Sequence, residues 1–444
     1  MSILRKIYHK LFWRQVEYKK YIGNLLLETN QNVKNIQNQL NNMKCELDFT
    51  DDKIKTILKE IDKVNDEYLF INEKSEILIV GFYGAPNLGD ELMLSTLLSY
   101  LDCDNLDVTV LLCDNYDYKI NDYPKVKFIH YPKTRYDFNI LAEKFDYIIF
   151  GGGAIIDDKQ YLKQDSFKYD LGTILIDLSL RGIAFNKKMI YLGLSSNYNL
   201  SNQEYIRYLG YIIENAEFFS VRDPNSKKTI LKAIPTLDEK QIVLINDLVM
   251  SNTKLTNPIN LNKGRNIFVG IIWVCTEENM EVLRKLLFHI KTNYPKYHIK
   301  LIPFYDYVNN DINLYNKIFD KLEDKDNIEI LPYNNTIEEI IYTFDKCDYI
   351  ISMRYHATLI SLARNINTIS ICYDKHTHYL NKISYINDLF KNKNNFSFVE
   401  LMNDEKNYDL IIKALNTEKK SRDLTTELIH TQNYLKETLS KYLK

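Results

Sequence analysis

The chain has 444 residues, 45% hydrophobic and 26% charged, an ordinary globular composition with room for two or three domains, which excludes a wholly disordered or collagen-like chain. Its 57 basic and 59 acidic residues leave a formal net charge of −2. With no global positive field, nucleic acid is excluded as the first partner class to consider.

Glycine (13) and proline (9) are scarce against usual shares of about 7% and 5%, so a local glycine cluster says more here than elsewhere. The six cysteines, Cys45, Cys103, Cys113, Cys275, Cys347 and Cys372, are scattered without C-x-x-C or Cys/His ligand spacing. They read as reduced, buried side chains of a cytoplasmic chain. No apolar run reaches the length of a membrane span, and the first 30 residues lack a signal-peptide pattern.

Residues 1–20 carry Arg5, Lys6, Lys10, Arg14, Lys19 and Lys20 against Glu17 alone, a local charge of +5, interleaved with Ile3, Leu4, Ile7, Leu11, Phe12, Trp13 and Val16. Such a segment either lies peripherally on an anionic membrane at the inner face or forms a solvated or docked helix start. From Ile22 to Tyr68 the spacing alternates by four and three, and 12 of the 14 seam positions are apolar. That heptad predicts a coiled coil over 21–70, roughly 70 Å long. Homo-oligomerisation through 22–68 is the expectation. The mixed seam residues leave strand number and orientation open.

After residue 74 short β-branched runs alternate with amphipathic helices. Strands are predicted at Ile77–Tyr83, Val108–Cys113, Val126–Tyr131, Tyr147–Phe150, Met189–Leu194 and Phe218–Val221, with helices including Glu91–Leu101 and Gly172–Ile183. The polar stretch Ser251–Arg265 reads as a linker. A second set follows, with strands Ile267–Trp273, His298–Pro303, Ile328–Leu331, Tyr349–Ser352 and Thr368–Cys372 between helices Glu277–Asn293, Asp311–Glu323, Ile337–Asp345 and Ala357–Arg364. Alternation of this kind means parallel sheets. The expected fold is α/β, with two Rossmann-like domains (75–250 and 265–415) in a GT-B-like arrangement, preceded by the long coiled-coil helix and followed by a helix over 416–444.

Chemistry concentrates at strand ends. Gly81-Phe-Tyr-Gly-Ala-Pro-Asn-Leu-Gly-Asp90 makes a strand-to-helix turn whose backbone N–H groups attract anions, or else Asp90 simply caps the helix. Neither G-x-G-x-x-G nor a P-loop occurs, so no dinucleotide or ATP site is signalled. The triplet Gly151, Gly152, Gly153 is expected at the carboxyl end of its strand, where a ligand approaches the backbone. Arg222, in Ser220-Val-Arg-Asp223, emerges beside another strand end. Arg354 and His356 share a strand end beside a helix start, where a guanidinium binds phosphate or carboxylate and an imidazole transfers a proton near neutral pH. Asp102-Cys103-Asp104 matches the D-x-D metal pattern but follows a helix, so a solvated loop is expected. Asp374, His376 and His378 have metal-like chemistry but no completing cluster, and no metal is expected.

Taken in order, these motifs resemble the polysaccharide pyruvyl transferase family. The family's G-x-x-N-x-G-D-E loop is matched by Gly84–Glu91, its glycine triplet by Gly151–Gly153, its V-R-D-x-x-S by Val221–Ser226, and its R-x-H-A turn by Arg354–Ala357, with I-S-I-x-Y-D at Ile369–Asp374. The resemblance covers about residues 75–390. Where the family reads Y-D-P-K, this chain has Tyr373-Asp374-Lys375-His376, so neither Lys375 nor His376 is given a role.

The resemblance implies transfer of pyruvate from phosphoenolpyruvate to a sugar of a bacterial surface glycan, as a ketal, with no cofactor. It implies Arg222, Arg354 and His356 as the donor pocket, joined by Gly151, Gly152 and Gly153. Asn87, Gly89 and Asp90 stand on the acceptor side, toward a glycan or lipid-linked sugar, with His356 and Asp90 as catalytic acid and base. Two alternatives remain: a GT-B glycosyltransferase using a nucleotide sugar, and a coiled-coil scaffold with a degenerate transferase domain.

Overall fold

The computed structural model describes residues 74–443 except 114–122, 132–134, 160, 162–169, 197–198, 257–265, 275–278, 307–309, 334–335, 374–384, 387–395, 402–404 and 416–424. The basic segment 1–20 and the heptad 22–68 lie outside the described residues.

Two wholly parallel sheets form the body. The first runs β3-β2-β1-β4-β5-β6-β7 from β1 (Ser75–Val80), β2 (Leu106–Leu112), β3 (Lys127–His130), β4 (Tyr147–Ile156), β5 (Lys188–Ser196), β6 (Phe218–Val221) and β7 (Val243–Leu244). The second runs β10-β9-β8-β11-β12-β13 from β8 (Phe268–Ile272), β9 (His298–Leu301), β10 (Ile328–Ile330), β11 (Tyr349–Ser352), β12 (Asn367–Tyr373) and β13 (Phe396–Leu401). Their central strands, such as Leu78-Ile-Val80 and Tyr147-Ile-Ile-Phe150, are continuous apolar runs buried on both faces, as a parallel sheet covered by helices requires. Both sheets have the doubly wound order, so each has a switch point: β1 beside β4 in one, β8 beside β11 in the other.

Helices α1 (Leu88–Ser99), α2 (Arg135–Lys144), α3 (Leu171–Ala184), α4 (Gln203–Glu214) and α5 (Pro224–Ala233) cover the first sheet, and α6 (Met280–Asn293), α7 (Asp311–Phe319), α8 (Ile337–Asp345), α9 (Tyr355–Ala363) and α10 (Glu405–Ala414) accompany the second. One buried cluster is common to both halves: Leu88, Leu92 and Leu97 of α1 join Ile302, Phe304, Ile340 and Ile350. The last helix, α11 (Thr425–Tyr442), follows the second sheet in sequence yet packs on the first half. Leu435 and Leu439 enter the shared cluster, Tyr442 meets the Phe218 ring at 5.3 Å, and Asn246 donates to Thr431 at 2.8 Å.

Three expectations need correction. The glycine triplet does not stand beyond its strand; β4 continues through it to Ile156, still paired with β5, with a register shift between Gly153 and Ile156. Positive φ at Gly152 (88°) and Gly153 (98°) allows that irregular continuation. Helix α1 starts at Leu88, not Glu91, and α9 at Tyr355, not Ala357, so Asp90 and His356 lie inside first turns. Strands β7 and β13 and helices α2, α4, α5 and α10 had no predicted counterpart; β7 has only two residues, whereas α4 buries Tyr205, Ile206, Leu209, Ile212 and Ile213 at helical spacing behind an Asn202 cap, a pattern the sequence carries.

Near the junction of the halves, Arg364 at the end of α9 grips Asp345 of α8 with Nε to Oδ1 at 2.8 Å and Nη2 to Oδ2 at 2.5 Å, while Nη1 donates to the Leu255 carbonyl at 3.1 Å. Removing one partner of a buried pair leaves the other charge uncompensated, at roughly 3–5 kcal/mol. Asp345→Ala should therefore lower the urea-unfolding free energy by about that amount, while Lys125→Ala, which breaks the exposed contact to Asp104, should leave it unchanged.

Candidate active site

The loop after β1 and the triplet of β4 meet at the first switch point. Tyr83 is wholly buried, and its hydroxyl donates to the Gly151 carbonyl at 2.5 Å. A Cβ on Gly151 would fall 2.4 Å from that hydroxyl, and one on Gly152 would fall 2.9 Å from Met93 Sδ. These two glycines make room for protein side chains. Gly153 differs, since the nearest atom to its Cβ position is Asp90 Oδ1 at 3.6 Å.

Asn87 holds the N-cap position of α1, and its Nδ2 donates to Asp90 Oδ2 at 2.5 Å. Asp90 is thus the third helical residue and not the cap. Glu91 accepts from the Gly84 N–H at 3.1 Å and closes the turn. Both carboxylates are buried at the positive end of the helix, where anions are favoured. The second half meets this loop along its backbone: Leu88 N–H donates to the Phe304 carbonyl at 3.1 Å, Asp306 N–H to the Pro86 carbonyl at 2.9 Å, and Asn87 bridges Tyr305.

His356 packs directly on the loop. A Cβ on Gly89 would fall 1.9 Å from His356 Nδ1, so only glycine admits the ring. The opposite nitrogen, Nε2, lies 3.4 Å from Arg222 Nη1 and 3.5 Å from Asp247 Oδ2. Arg222 Nη1 donates to the same Oδ2 at 2.7 Å, and its guanidinium carbon sits 4.7 Å from the Tyr355 ring centre. Asp247 Oδ1 accepts from the Val249 N–H at 2.9 Å. Burial alone would raise Asp247, but the charges of His356 and Arg222 outweigh it and hold the carboxyl well below its usual range.

Arg354 forms the second ion pair. Its Nη2 donates to Asp311 Oδ1 at 2.8 Å and Oδ2 at 3.1 Å, and its guanidinium carbon lies 5.6 Å from the Tyr305 ring centre. Asp311, the first residue of α7, also accepts from the Phe304 and Tyr305 N–H groups at 2.8 and 3.0 Å. Desolvation pushes its carboxyl above the usual value despite Arg354 and those N–H groups. The arginines differ in access: the Arg222 side chain is 3% exposed and sealed behind His356, whereas Arg354 is 15% and His356 14% exposed.

A family model described as polysaccharide pyruvyl transferase matches residues 87–375. The chain belongs to the polysaccharide pyruvyl transferase family. No curated protein matches the sequence. Among solved structures, a glycosyltransferase from Rickettsia africae is 15% identical with TM-score 0.56, covering 84% of this chain and 98% of its own. A UDP-N-acetylglucosamine 2-epimerase is 11% identical with TM-score 0.55, covering 84% and 97%. The UDP-GlcNAc 2-epimerase of Methanocaldococcus jannaschii is 11% identical with TM-score 0.50, covering 81% and 99%. At these identities the likeness shows the fold, two Rossmann-like sheets in the GT-B arrangement.

In this transferase, the structure brings Asn87, Gly89, Asp90, Gly153, Arg222 and His356 into one connected neighbourhood, and sets Arg354 beside it through Tyr305 and Asp311. Gly151 and Gly152 support the loop from behind. Sequence reasoning missed Asp247 and Asp311, two buried acids that neutralise the arginines. The available signal was an acid just past a strand in Val243-Leu-Ile-Asn-Asp247, and one opening a helix at Asp311. Lys375, Asp374, His376 and His378 lie outside the described residues. Asp102 and Asp104 form a loop closed on itself, Asp102 accepting from Asp104 N–H and Asn105, and Asp104 pairing with Lys125. Among the described residues no group of three or more His, Cys, Asp or Glu could hold a metal ion, and no helix is long and apolar enough to cross a membrane.

A cavity of about 230 Å³ lies under α11, walled by Leu192, Phe218, Ile245, Leu248 and Leu435. It falls below the roughly 300–1,000 Å³ of typical ligand pockets, and neither Arg354 nor His356 lines it.

Two outcomes follow from this geometry. Gly89→Ala keeps helical backbone preferences but drives a methyl into the His356 ring, so it should lower the melting temperature and move the ring in a crystal structure. Because the Asp247 carboxyl is depressed in the folded state, its contribution is present above the unfolded value of about 3.9 and is lost as the pH falls below it. Between pH 5 and pH 2 the urea-unfolding free energy should drop less steeply in Asp247→Asn than in the wild type, from a lower starting value.

Proposed function

We propose that this transferase moves pyruvate from phosphoenolpyruvate onto two hydroxyls of a glycan sugar, closing a cyclic ketal and releasing inorganic phosphate. The observation that supports it best is the packing of His356, in the first turn of α9, on Gly89 of the turn from the other sheet, with Arg354 beside it through Tyr305. A guanidinium and an imidazole at a helix N-terminus suit a small dianionic donor. A buried pair of acids across the cleft suits hydroxyl acceptors.

In the proposed sequence, a proton from His356 reaches the donor methylene carbon, making it a methyl group, and positive character develops at C2. One sugar hydroxyl adds to C2 and gives up its proton toward Asp90. The second hydroxyl then forms the other C2–O bond and passes its proton to the departing phosphate as the C2–O bond to phosphate breaks, while the proton on Asp90 replaces the one that His356 gave up. Arg354 holds a carboxylate or phosphate of the donor, and Arg222 supports His356 from the interior. The scheme calls on no metal or cofactor. Gly153 keeps the space beside Asp90 open, and Asn87 and Gly89 shape the acceptor side.

The glycosyltransferase fold keeps a second reading in view, glycosyl transfer from a nucleotide sugar. Thermal stabilisation decides between them. A ligand bound only by the folded state adds about 2.7 kcal/mol at a hundredfold excess over its Kd. Phosphoenolpyruvate should raise the melting midpoint in a concentration-dependent way, CMP, UDP and phosphate should not, and Arg354→Ala should abolish the shift. A nucleotide-specific shift would replace pyruvyl with glycosyl transfer. With the donor identified, His356→Ala and Asp90→Asn should each lose about 100-fold or more in turnover while remaining folded.

The same reading includes a homo-oligomer through 22–68 and peripheral contact with the inner membrane face through 1–20, beside a glycan or lipid-linked acceptor. The full chain should then float with anionic liposomes, and removal of residues 1–20 should end flotation.

A further inference from the structure

We infer that Asp247 is the positioning residue that keeps the Nε2 of His356 turned inward and protonated, with Nδ1 set against the Gly89–Asp90 turn. The role in turnover rests on the pyruvyl-transfer reading above; the orientation of the ring does not.

Asp247 is 2% exposed, and each of its oxygens is committed. Oδ1 accepts from the Val249 backbone N–H at 2.9 Å, which fixes the plane of the group at the start of a short 3-10 turn, Leu248–Ser251. Oδ2 accepts from Arg222 Nη1 at 2.7 Å and faces His356 Nε2 at 3.5 Å. Arg222 Nη1, 3.4 Å from Nε2, could only donate to an Nε2 that carries no proton, but its closer bond, at 2.7 Å, is to Oδ2. Oδ2 is the acceptor that Nε2–H can use. The 3.5 Å separation is long for a hydrogen bond, and such contacts commonly tighten when a substrate closes the site.

The other side of the ring agrees. Nδ1 lies where a Gly89 side chain would stand, at the first turn of α1 and one residue from Asp90. A ring held by a carboxylate at one nitrogen presents the other for chemistry, which is the logic of a histidine paired to a buried acid. Arg222 enters as the counter-charge that lets the acid stay ionised in a buried place, and Tyr355 covers its guanidinium.

The test uses the full chain labelled with 15N-histidine. Two-bond 1H–15N correlation reads which nitrogen carries the proton in the neutral ring, and His356 is found among the 8 histidines by the signals missing in His356→Gln. The wild type should be protonated at Nε2. Asp247→Asn places an amide N–H donor where the acceptor was, and the ring should flip to the Nδ1-protonated form.

Because Asp247→Asn leaves Arg222 buried without its counter-charge, the paired variant Arg222→Met with Asp247→Asn provides a charge-balanced background in which the same flip is expected. Turnover with phosphoenolpyruvate should fall about 10²–10⁴-fold in Asp247→Asn, with KM for the donor changed no more than a few-fold. A wild-type ring protonated at Nδ1, or a proton that stays on Nε2 in both variants, overturns the assignment. An Nε2-protonated ring in a protein without phosphoenolpyruvate turnover would overturn the transferase reading and uphold the role of Asp247.

Discussion

One oxygen atom, Oδ2 of Asp247, lies between a guanidinium from the end of β6 and an imidazole from the first turn of α9. Those two groups come from different sheets, and the guanidinium could not be buried without an acid beside it. Isolated, the ionised Arg222 would cost several kcal/mol to bring inside. Paired with Asp247 and covered by Tyr355, it becomes a fixed point against which His356 is set. The position of the imidazole thus follows from charge compensation inside the protein as much as from the backbone that carries it.

The same principle recurs at Arg354, with a different outcome. Asp311 is held by two backbone N–H groups and shares its oxygens with Arg354, yet that guanidinium remains partly open. One arginine is therefore buried behind a histidine, and the other keeps an accessible edge. Both acids act where the halves touch, near the paired segments around Pro86 and Tyr305. Site and domain junction are built from the same contacts.

Much of this was readable from residue order. The apolar runs and intervening helical patterns foretold two parallel sheets, and the turn 84–91, Arg222, Arg354 and His356 were found where strand ends meet helices. The partners were not, for a physical reason. An acid that neutralises a buried arginine is identified by three-dimensional proximity, and Asp247 is 25 residues from Arg222 and 109 from His356 in the chain. Nor could spacing distinguish a glycine that admits a ligand from one that admits Tyr83, as Gly151 does. The strand edges β7 and β13 were weak signals because two to six residues of mixed polarity fit loop and strand alike.

Helix α11 has a mechanical consequence. The chain passes from the first half to the second between β7 and β8, then returns between α10 and α11 to anchor against Phe218 and Asn246. Two covalent crossings and the buried core that Leu88 and Ile340 share therefore hold the halves together. His356 comes from one half and Gly89 and Arg222 from the other, so their neighbourhood exists only while that contact lasts.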